Sequence, residues 1–149
     1  MFIHWDSSFE TGQMLVDTEH RLLVFLFRKL DVAIKTGQSQ KVVNQVIGEL
    51  KRYVEFHFAS EENVMRETGY PHLVTHQEIH HQLLAELGLF ESKLAARKEF
   101  PEDLLFFLNQ WLFDHIAKHD QHVARHVSDS VDRPIAEYAY AEYLTGAPK

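Results

Sequence analysis

The sequence has 149 residues, of which 45% are hydrophobic, and this is enough for one globular domain with a buried core. Its 22 acidic residues outnumber its 15 basic ones for a net charge of −7, and the basic residues form no run. This charge argues against nucleic acid or an anionic membrane as a partner. Because cysteine is absent, thiolate sites and iron–sulfur clusters are excluded, and a bound metal would need imidazole and oxygen ligands.

The N-terminal stretch MFIHWDSSFETG has no basic region followed by an apolar one. No segment reaches the roughly 18 apolar residues that a membrane span requires. We therefore expect a cytoplasmic protein. The predicted single domain, 1–149, comprises an N-terminal arm over 1–16, a helical body over about 17–127 and an extension over 128–149. The extension carries aromatic residues and is expected to form a short helix or an ordered tail.

In chain order, hydrophobic residues recur with a period near 3.6 in four long segments, which predicts four amphipathic helices. The first helix is expected to begin at Asp17 as its N-cap. It carries His20 on its apolar face. The second helix, from about Gln40 to Thr68, places His57 and Glu61 on the same face as its apolar residues. Both helices therefore turn polar side chains towards the core.

The third helix is predicted from about His72 to Ala96, and it places His76 and His80 on its inner face. These two histidines are four residues apart, so they extend from adjacent turns in the same direction. The fourth helix begins at Pro101, a residue suited to the first helical position. His115 lies near its C-terminal part.

Short connections between these helices predict an all-α fold, an up-down-up-down four-helix bundle. In that topology the polar inner residues of all four helices converge on one layer. Without partners, such buried groups would cost about 1 to 3 kcal/mol each, and a metal centre compensates for this cost. Imidazole and carboxylate suit iron, manganese, zinc, copper or nickel. Five imidazoles and one or two carboxylates exceed the needs of one tetrahedral zinc and fit two bridged six-coordinate ions better.

Three segments resemble the metal-binding motifs of the hemerythrin family in its bacterial single-domain form: HFASEE from His57, YPHLVTHQEIH from Tyr70 and WLFDHIAKHD from Trp111. The stretches IHWDSSFETG and VDTEHRLL, the latter around His20, match that family's N-terminal arm and first ligand segment. The resemblance covers approximately residues 2 to 124. It implies the bundle topology known from myohemerythrin.

The resemblance further implies a non-heme diiron centre that binds O2 reversibly, for oxygen storage, transport or delivery. The implied ligand set places His76, His80 and His115 on one iron, His20 and His57 on the other, and Glu61 and Asp120 between them as bridges. A solvent-derived oxo or hydroxo group would complete the bridge, and the iron with two histidines would keep a free position for O2. Trp111, Leu112 and Ile116 match the family positions that line the O2 pocket.

Other functions remain open at the same site. They include an O2 or redox sensor, an NO-binding protein, an iron store, and a peroxidase or oxidase. A ferritin-like oxidase would require two E-x-x-H motifs, and the sequence has one, from Glu78 to His81. We expect a carrier rather than an enzyme, with O2 as its ligand and an unidentified oxygen-consuming protein as a candidate partner.

The ligand on the fourth helix is ambiguous by spacing alone. His115 and His119 are four residues apart, which suits one face of an α-helix, whereas Asp120 is five residues from His115. The family pattern assigns Asp120. A local widening of the helix would reconcile this assignment with the spacing, since such bulges tend to occur at functional sites.

The other polar residues near these motifs are expected to be solvated or locally bonded. The histidines in this class are His4, His72, His81, His119, His122 and His126. The last three form a stripe at helical spacing that could bind an adventitious metal or respond to pH. Glu62 is expected to be exposed.

Overall fold

A computed structural model describes residues 4–96 and 101–146, and the regular elements in these ranges are all helical. A 3₁₀ turn at Ser7–Phe9 precedes four helices: α1, Met14–Lys35; α2, Gln40–Glu67; α3, Leu73–Ala95; and α4, Pro101–Asp114. A π-helix, His115–Asp120, joins α4 to α5, Gln121–Asp129, and α6, Ile135–Thr145, follows. The all-α class predicted from the sequence is confirmed.

The start of α1 differs from the prediction. The helix begins at Met14 rather than at Asp17, and Asp17 is not its N-cap. Its carboxylate instead accepts hydrogen bonds from the Thr11 N–H and hydroxyl, both at 2.8 Å, and from the Gly12 N–H at 3.2 Å. Gly12 has a φ of 85°, which folds the N-terminal arm back so that these donors reach the first turn. The carboxylate thus ties the arm to the bundle.

The α1–α2 and α2–α3 connections both turn at a glycine in the left-handed region, Gly37 and Gly69, each with φ of 66°. After Gly69, the Tyr70 N–H donates to the Met65 carbonyl at 2.9 Å, the bond of a Schellman motif. Because only glycine takes this conformation at little cost, these positions set where the chain reverses.

Neighbouring helices run antiparallel. This is seen in the contacting pairs, in which the residue number rises along one helix and falls along the next. The contacting pairs are Glu19–His57 and Lys29–Glu49 for α1 and α2, Lys51–Glu91 and Glu62–His80 for α2 and α3, and Phe90–Phe107 and His80–His115 for α3 and the α4–π segment. The Phe27–Trp111 and His20–Asp120 pairs close the bundle between the first and last helices. The helices therefore form an up-down-up-down bundle.

The apolar core is divided by a polar layer. The larger cluster fills most of the bundle and includes Leu23, Phe27, Leu30, Leu50 and Leu108, each at most 1% exposed. The smaller cluster, Val64, Met65, Val123 and Val127, lies beyond the polar layer near the Gly69 turn. The polar side chains are thus enclosed by apolar residues on both sides.

The C-terminal extension contains the predicted aromatic-bearing helix as α6, which buries none of its own residues. It is held by the Ile135 N–H, which donates to Glu67 at 2.7 Å, and by the paired hydroxyls of Thr18 and Tyr140, 2.9 Å apart. Across the described ranges, no helix is both long and apolar enough to cross a bilayer.

Candidate metal centre

The polar layer contains all seven residues predicted as metal ligands. They are His20 on α1, His57 and Glu61 on α2, His76 and His80 on α3, and His115 and Asp120 at the two ends of the π-helix. Each is at most 3% exposed. Groups of this kind are rarely buried unless they are paired or bind a metal.

Within the described residues the layer divides into two groups that could each hold a metal ion. One consists of Glu61, His76, His80, His115 and Asp120, and the other of His20, His57 and Asp120. In each group, one candidate ligand atom per residue lies within 4.8 Å of all the others. Asp120 is the residue that the two groups share.

Asp120 directs one carboxylate oxygen to each group. Its Oδ1 lies 3.0 Å from His115 Nε2 and 3.4 Å from His76 Nε2, whereas its Oδ2 lies 3.0 Å from His20 Nε2. This division of the two oxygens is the arrangement of a carboxylate that bridges two cations.

Glu61 and two histidines complete the larger group. Glu61 Oε2 is 3.2 Å from His80 Nε2 and 3.3 Å from His76 Nε2. The Nε2 atoms of His80 and His115 are 3.1 Å apart. Two ligands at right angles on one ion, each about 2.1 Å from it, would be about 3.0 Å apart. The observed separations therefore suit ligands that share an ion.

Most of these inward-facing atoms lack hydrogen bonds despite their proximity. In the part of the chain that the structure describes, the buried atoms without a partner include His20 Nε2, His57 Nε2, His76 Nε2, both oxygens of Glu61 and both oxygens of Asp120. Each such atom costs about 1 to 3 kcal/mol, and buried polar atoms in proteins are generally paired. A cation that accepts their lone pairs would compensate for the whole set.

The charges of the layer also suit a cation. Burial and the Asp120 charge would raise the pKa of Glu61, but the close contacts of its carboxylate with His76 and His80, together with the nearby His57, outweigh them and lower it to about 2. Burial likewise opposes ionisation of Asp120, yet His115, His20 and His76 hold its pKa well below its usual value. Both carboxylates are therefore ionised and able to bind metal at neutral pH.

The same interaction also affects the pKa of His76, which is the base of these contacts. Burial favours its neutral form, but Asp120 and Glu61 outweigh burial and raise its pKa to about 10. In the metal-free protein a proton on His76 therefore provides part of the positive charge that the carboxylates require. A metal ion would take its place.

Glu19 is a buried partner of the site that sequence analysis missed. Its Oε2 lies 2.7 Å from His57 Nδ1, and its Oε1 accepts a bond of 2.7 Å from the Ser60 hydroxyl. Because an ionised carboxylate only accepts, Nδ1 carries the proton and Nε2 keeps a lone pair for a metal. Nothing in local spacing distinguishes Glu19 from a solvated neighbour of His20, since its partners are on another helix.

Glu62 plays the same part for His80, and the expectation that it is exposed is wrong. Its side chain is 17% exposed, because α3 packs beside it. Its Oε1 lies 2.8 Å from His80 Nδ1, and its Oε2 accepts a bond of 3.0 Å from Gln77. Burial raises the pKa of Glu62, but these hydrogen bonds from His80 and Gln77 give a net lowering.

The predicted widening of the fourth helix is confirmed as the π-helix, His115–Asp120. It adds one residue to a turn, so that His115 and Asp120 share the inner face although they are five residues apart. Beyond it, Val123 and Val127 are buried, and His119 is displaced to the edge of the layer, outside both ligand groups. The spacing rule for a regular α-helix would have selected His119.

The apolar surroundings include the residues predicted for an O2 pocket. Leu112 and Ile116 are at most 1% exposed, and Trp111 stacks on the His115 ring with 5.5 Å between ring centres. Phe58, which the sequence did not single out, stacks on His80 with ring centres 3.7 Å apart. These side chains shield the ligand layer from water on the side of the larger core cluster.

The helical bundle and its enclosed layer of histidines and carboxylates define the class as a metal-binding four-helix protein. The family model described as the hemerythrin HHE cation binding domain matches residues 11–127. The chain belongs to the hemerythrin family, as the sequence motifs indicated.

Named relatives cover most of the chain. A bacteriohemerythrin of Stenotrophomonas maltophilia is 29% identical over 140 residues, which are 94% of this chain and 91% of that protein. One of Clostridium acetobutylicum is 31% identical over 127 residues, covering 81% and 97% respectively. A crystal structure of wild-type hemerythrin superposes with a TM-score of 0.76 at 26% identity, over 86% of this chain and 99% of that one.

Proposed function

We propose that the polar layer holds two non-heme iron ions and that the protein binds O2 reversibly there, for storage, transport or delivery. The observation that carries this proposal is the position of Asp120, whose two oxygens are divided between two groups of histidines. The unpartnered atoms of the layer support it, because two cations would satisfy them together. The bacteriohemerythrin relatives agree with this function by their name.

The proposed ligand set follows the two groups. His76, His80 and His115 would hold one iron, His20 and His57 the other, and Glu61 and Asp120 would bridge them with an oxo or hydroxo group. Glu61 is in one group by distance, but its Oε1 has no hydrogen bond and is available to the second ion. The second group has fewer histidines, which would leave a position for O2.

When bound, the two ions would supply one electron each towards O2. The surrounding residues hold and shield the ligands. Glu19 and Glu62 fix the rings of His57 and His80 by accepting hydrogen bonds from their Nδ1–H groups. Trp111, Leu112 and Ile116 exclude water. A depression of about 250 Å³ reaches Trp111 and His115. Ile79, Leu83 and Phe107 line it together with the polar residues Gln110, Asp114 and His119, and it offers a path for an uncharged gas.

The test is optical spectroscopy of the iron-loaded, reduced protein before and after exposure to air, with iron counted per chain. We expect two iron ions per chain and a visible charge-transfer band that appears with O2 and disappears when O2 is removed. Irreversible oxidation on first exposure, with release of peroxide, would instead favour an oxidase or a sensor.

A His57→Ala variant tests the site itself and should bind fewer than two ions. His81→Ala, which changes an exposed histidine on α3, is the matched control and should bind both. Equal iron content in the two variants would contradict the proposed ligand set.

A further inference from the structure

A surface depression of about 290 Å³ reaches one of the candidate ligands, His76. Its walls come from the beginning of α3 and from the segment around the π-helix. They include Tyr70 and three further histidines, His72, His119 and His122. None of these three belongs to either ligand group, so the proposed function gives them no role.

These histidines lie at successive depths. His72 and His122 are exposed, His119 is half-buried, and His76 at the floor is 3% exposed. The ring centre of His119 is 6.3 Å from that of His76 and 5.8 Å from that of His115. Imidazoles therefore extend from the solvent to the larger ligand group.

The π-helix explains why histidines line this depression. On an uninterrupted α-helix, the spacing from His115 would place His119 on the inner face, whereas the extra residue moves it to the rim. His126, the third histidine of the stripe in the sequence, is used differently, because its Nε2 donates to the Thr68 carbonyl at 2.8 Å. The three rim histidines, His72, His119 and His122, are thus separate from the ligand layer and from the hydrogen bond of His126.

A second depression reaches the same layer with a different lining. It is bounded by Leu83, Phe107 and Trp111, and it shares Ile79 and His119 with the first. Its other lining residues are Gln110, Asp114 and the candidate ligand His115. A cation that enters there meets one imidazole outside the ligand groups, His119, whereas the first depression offers three. The imidazole-lined depression offers replacement ligands at each depth.

We propose that His72, His119 and His122 capture a divalent metal ion from solution and pass it to His76, so that this depression is the loading route of the metal centre. The inference rests on the proposed function, since it presumes that the buried layer holds metal. Because water ligands are exchanged for imidazole one at a time, the ion keeps a coordination shell while it moves into the core. Because the three rim histidines do not form a compact ligand group, they would bind the ion transiently and release it inward.

The test is the rate of metal uptake by the metal-free protein, followed by stopped-flow absorbance with Co2+ as the probe. The variant is the double substitution His119→Asn and His122→Asn, and the control is His81→Asn, which changes an exposed histidine of α3 away from this depression. We expect the double variant to load roughly tenfold more slowly, the lower end of what local capture adds to association rates. Its final metal content and the melting temperature of its loaded form should equal those of the control.

A separate variant guards against distortion of the π-helix. His72→Asn lies at the start of α3, where the histidine makes no capping hydrogen bond, and it should slow loading in the same direction. Uptake as fast in these variants as in the control would overturn the loading route while leaving the metal centre intact. A double variant that loses metal at equilibrium would also overturn it, because its histidines would then be ligands. A wild-type protein that takes up no metal would overturn the proposed function itself.

Discussion

At the scale of single residues, the histidines of the layer depend on carboxylates that do not face the layer themselves. Glu19 and Glu62 each accept a hydrogen bond from the outer nitrogen of one histidine, His57 and His80 respectively. Such partners orient the ring and make its other nitrogen a better ligand. They also place one carboxylate partner beside each of the two groups.

Replacing Glu19 should weaken the group that contains His20 and His57. We expect Glu19→Ala to lower metal affinity by about 10- to 100-fold, because His57 loses its acceptor. Glu19→Gln should have a smaller effect, since its amide oxygen still accepts a hydrogen bond. Competition with a chelator measures both affinities. Equal losses for alanine and glutamine would show that the charge of Glu19, rather than the orientation of His57, is what matters.

Leu112 tests the proposed exclusion of water. It lies on α4 near the ligand-bearing π-helix and is 1% exposed, so Leu112→Thr should admit water and speed irreversible oxidation of the reduced, iron-loaded protein in air. Leu104→Thr is the control, because Leu104 is equally buried but about 12 Å further from the site along the helix. The measurement is the rate of optical change at constant O2. If both variants oxidise at the same rate, loss of packing is the cause and Leu112 has no special shielding role.

At the scale of elements, the π-helix decides which side chain of the fourth helix enters the layer. Its six residues begin and end with ligand candidates, His115 and Asp120. A regular helix would carry His119 inward and leave the two groups without their shared carboxylate. The widened turn thus sets the position of the shared carboxylate, and it places His119 and His122 at the depression.

A matched pair of substitutions tests this element. Asp120→Asn keeps the size of the side chain but removes its charge, and it should reduce metal binding in both groups because Asp120 belongs to both. His119→Asn should retain two ions per chain. Metal analysis of the purified, reconstituted variants gives the answer. If His119→Asn loses metal and Asp120→Asn retains it, the ligand in the loaded protein is His119, as regular α-helical spacing predicts, and the π-helix does not describe the loaded protein.

At the scale of the whole molecule, the antiparallel topology gathers seven polar groups from separate helices into one layer between two apolar clusters. The apolar clusters stabilise the bundle whether or not metal is bound. The polar layer stabilises the bundle only when its charges are balanced and its lone pairs have partners. We therefore expect folding and metal binding to be coupled.

Removal of metal should lower the melting temperature by at least about 5 °C, because several buried groups then lack partners. Leu50→Ala, a change in the larger apolar cluster, should cost about 2 to 5 kcal/mol in both the loaded and the metal-free protein. Calorimetry of the four samples separates the two effects. An unchanged melting temperature on chelation would indicate that protons alone satisfy the layer.

The helices, their reversals and six of the seven inward polar residues were predicted from local signals in the sequence, namely helical periodicity and the Gly37 and Gly69 turns. The motif resemblance added the choice of Asp120 over His119. Local rules failed at Asp17, which binds the N-terminal arm instead of capping α1, since that arm returns from outside the helix.

Which atoms meet between helices depends on the packing of the bundle. Sequence spacing orders side chains along one helix but carries no distance to the next, so the roles of Glu19 and Glu62 could not be predicted. The same holds for the division of the Asp120 oxygens and for the depression in which His72 joins His119 and His122. These features arise where two or three helices pack together, and their geometry depends on how closely those helices approach.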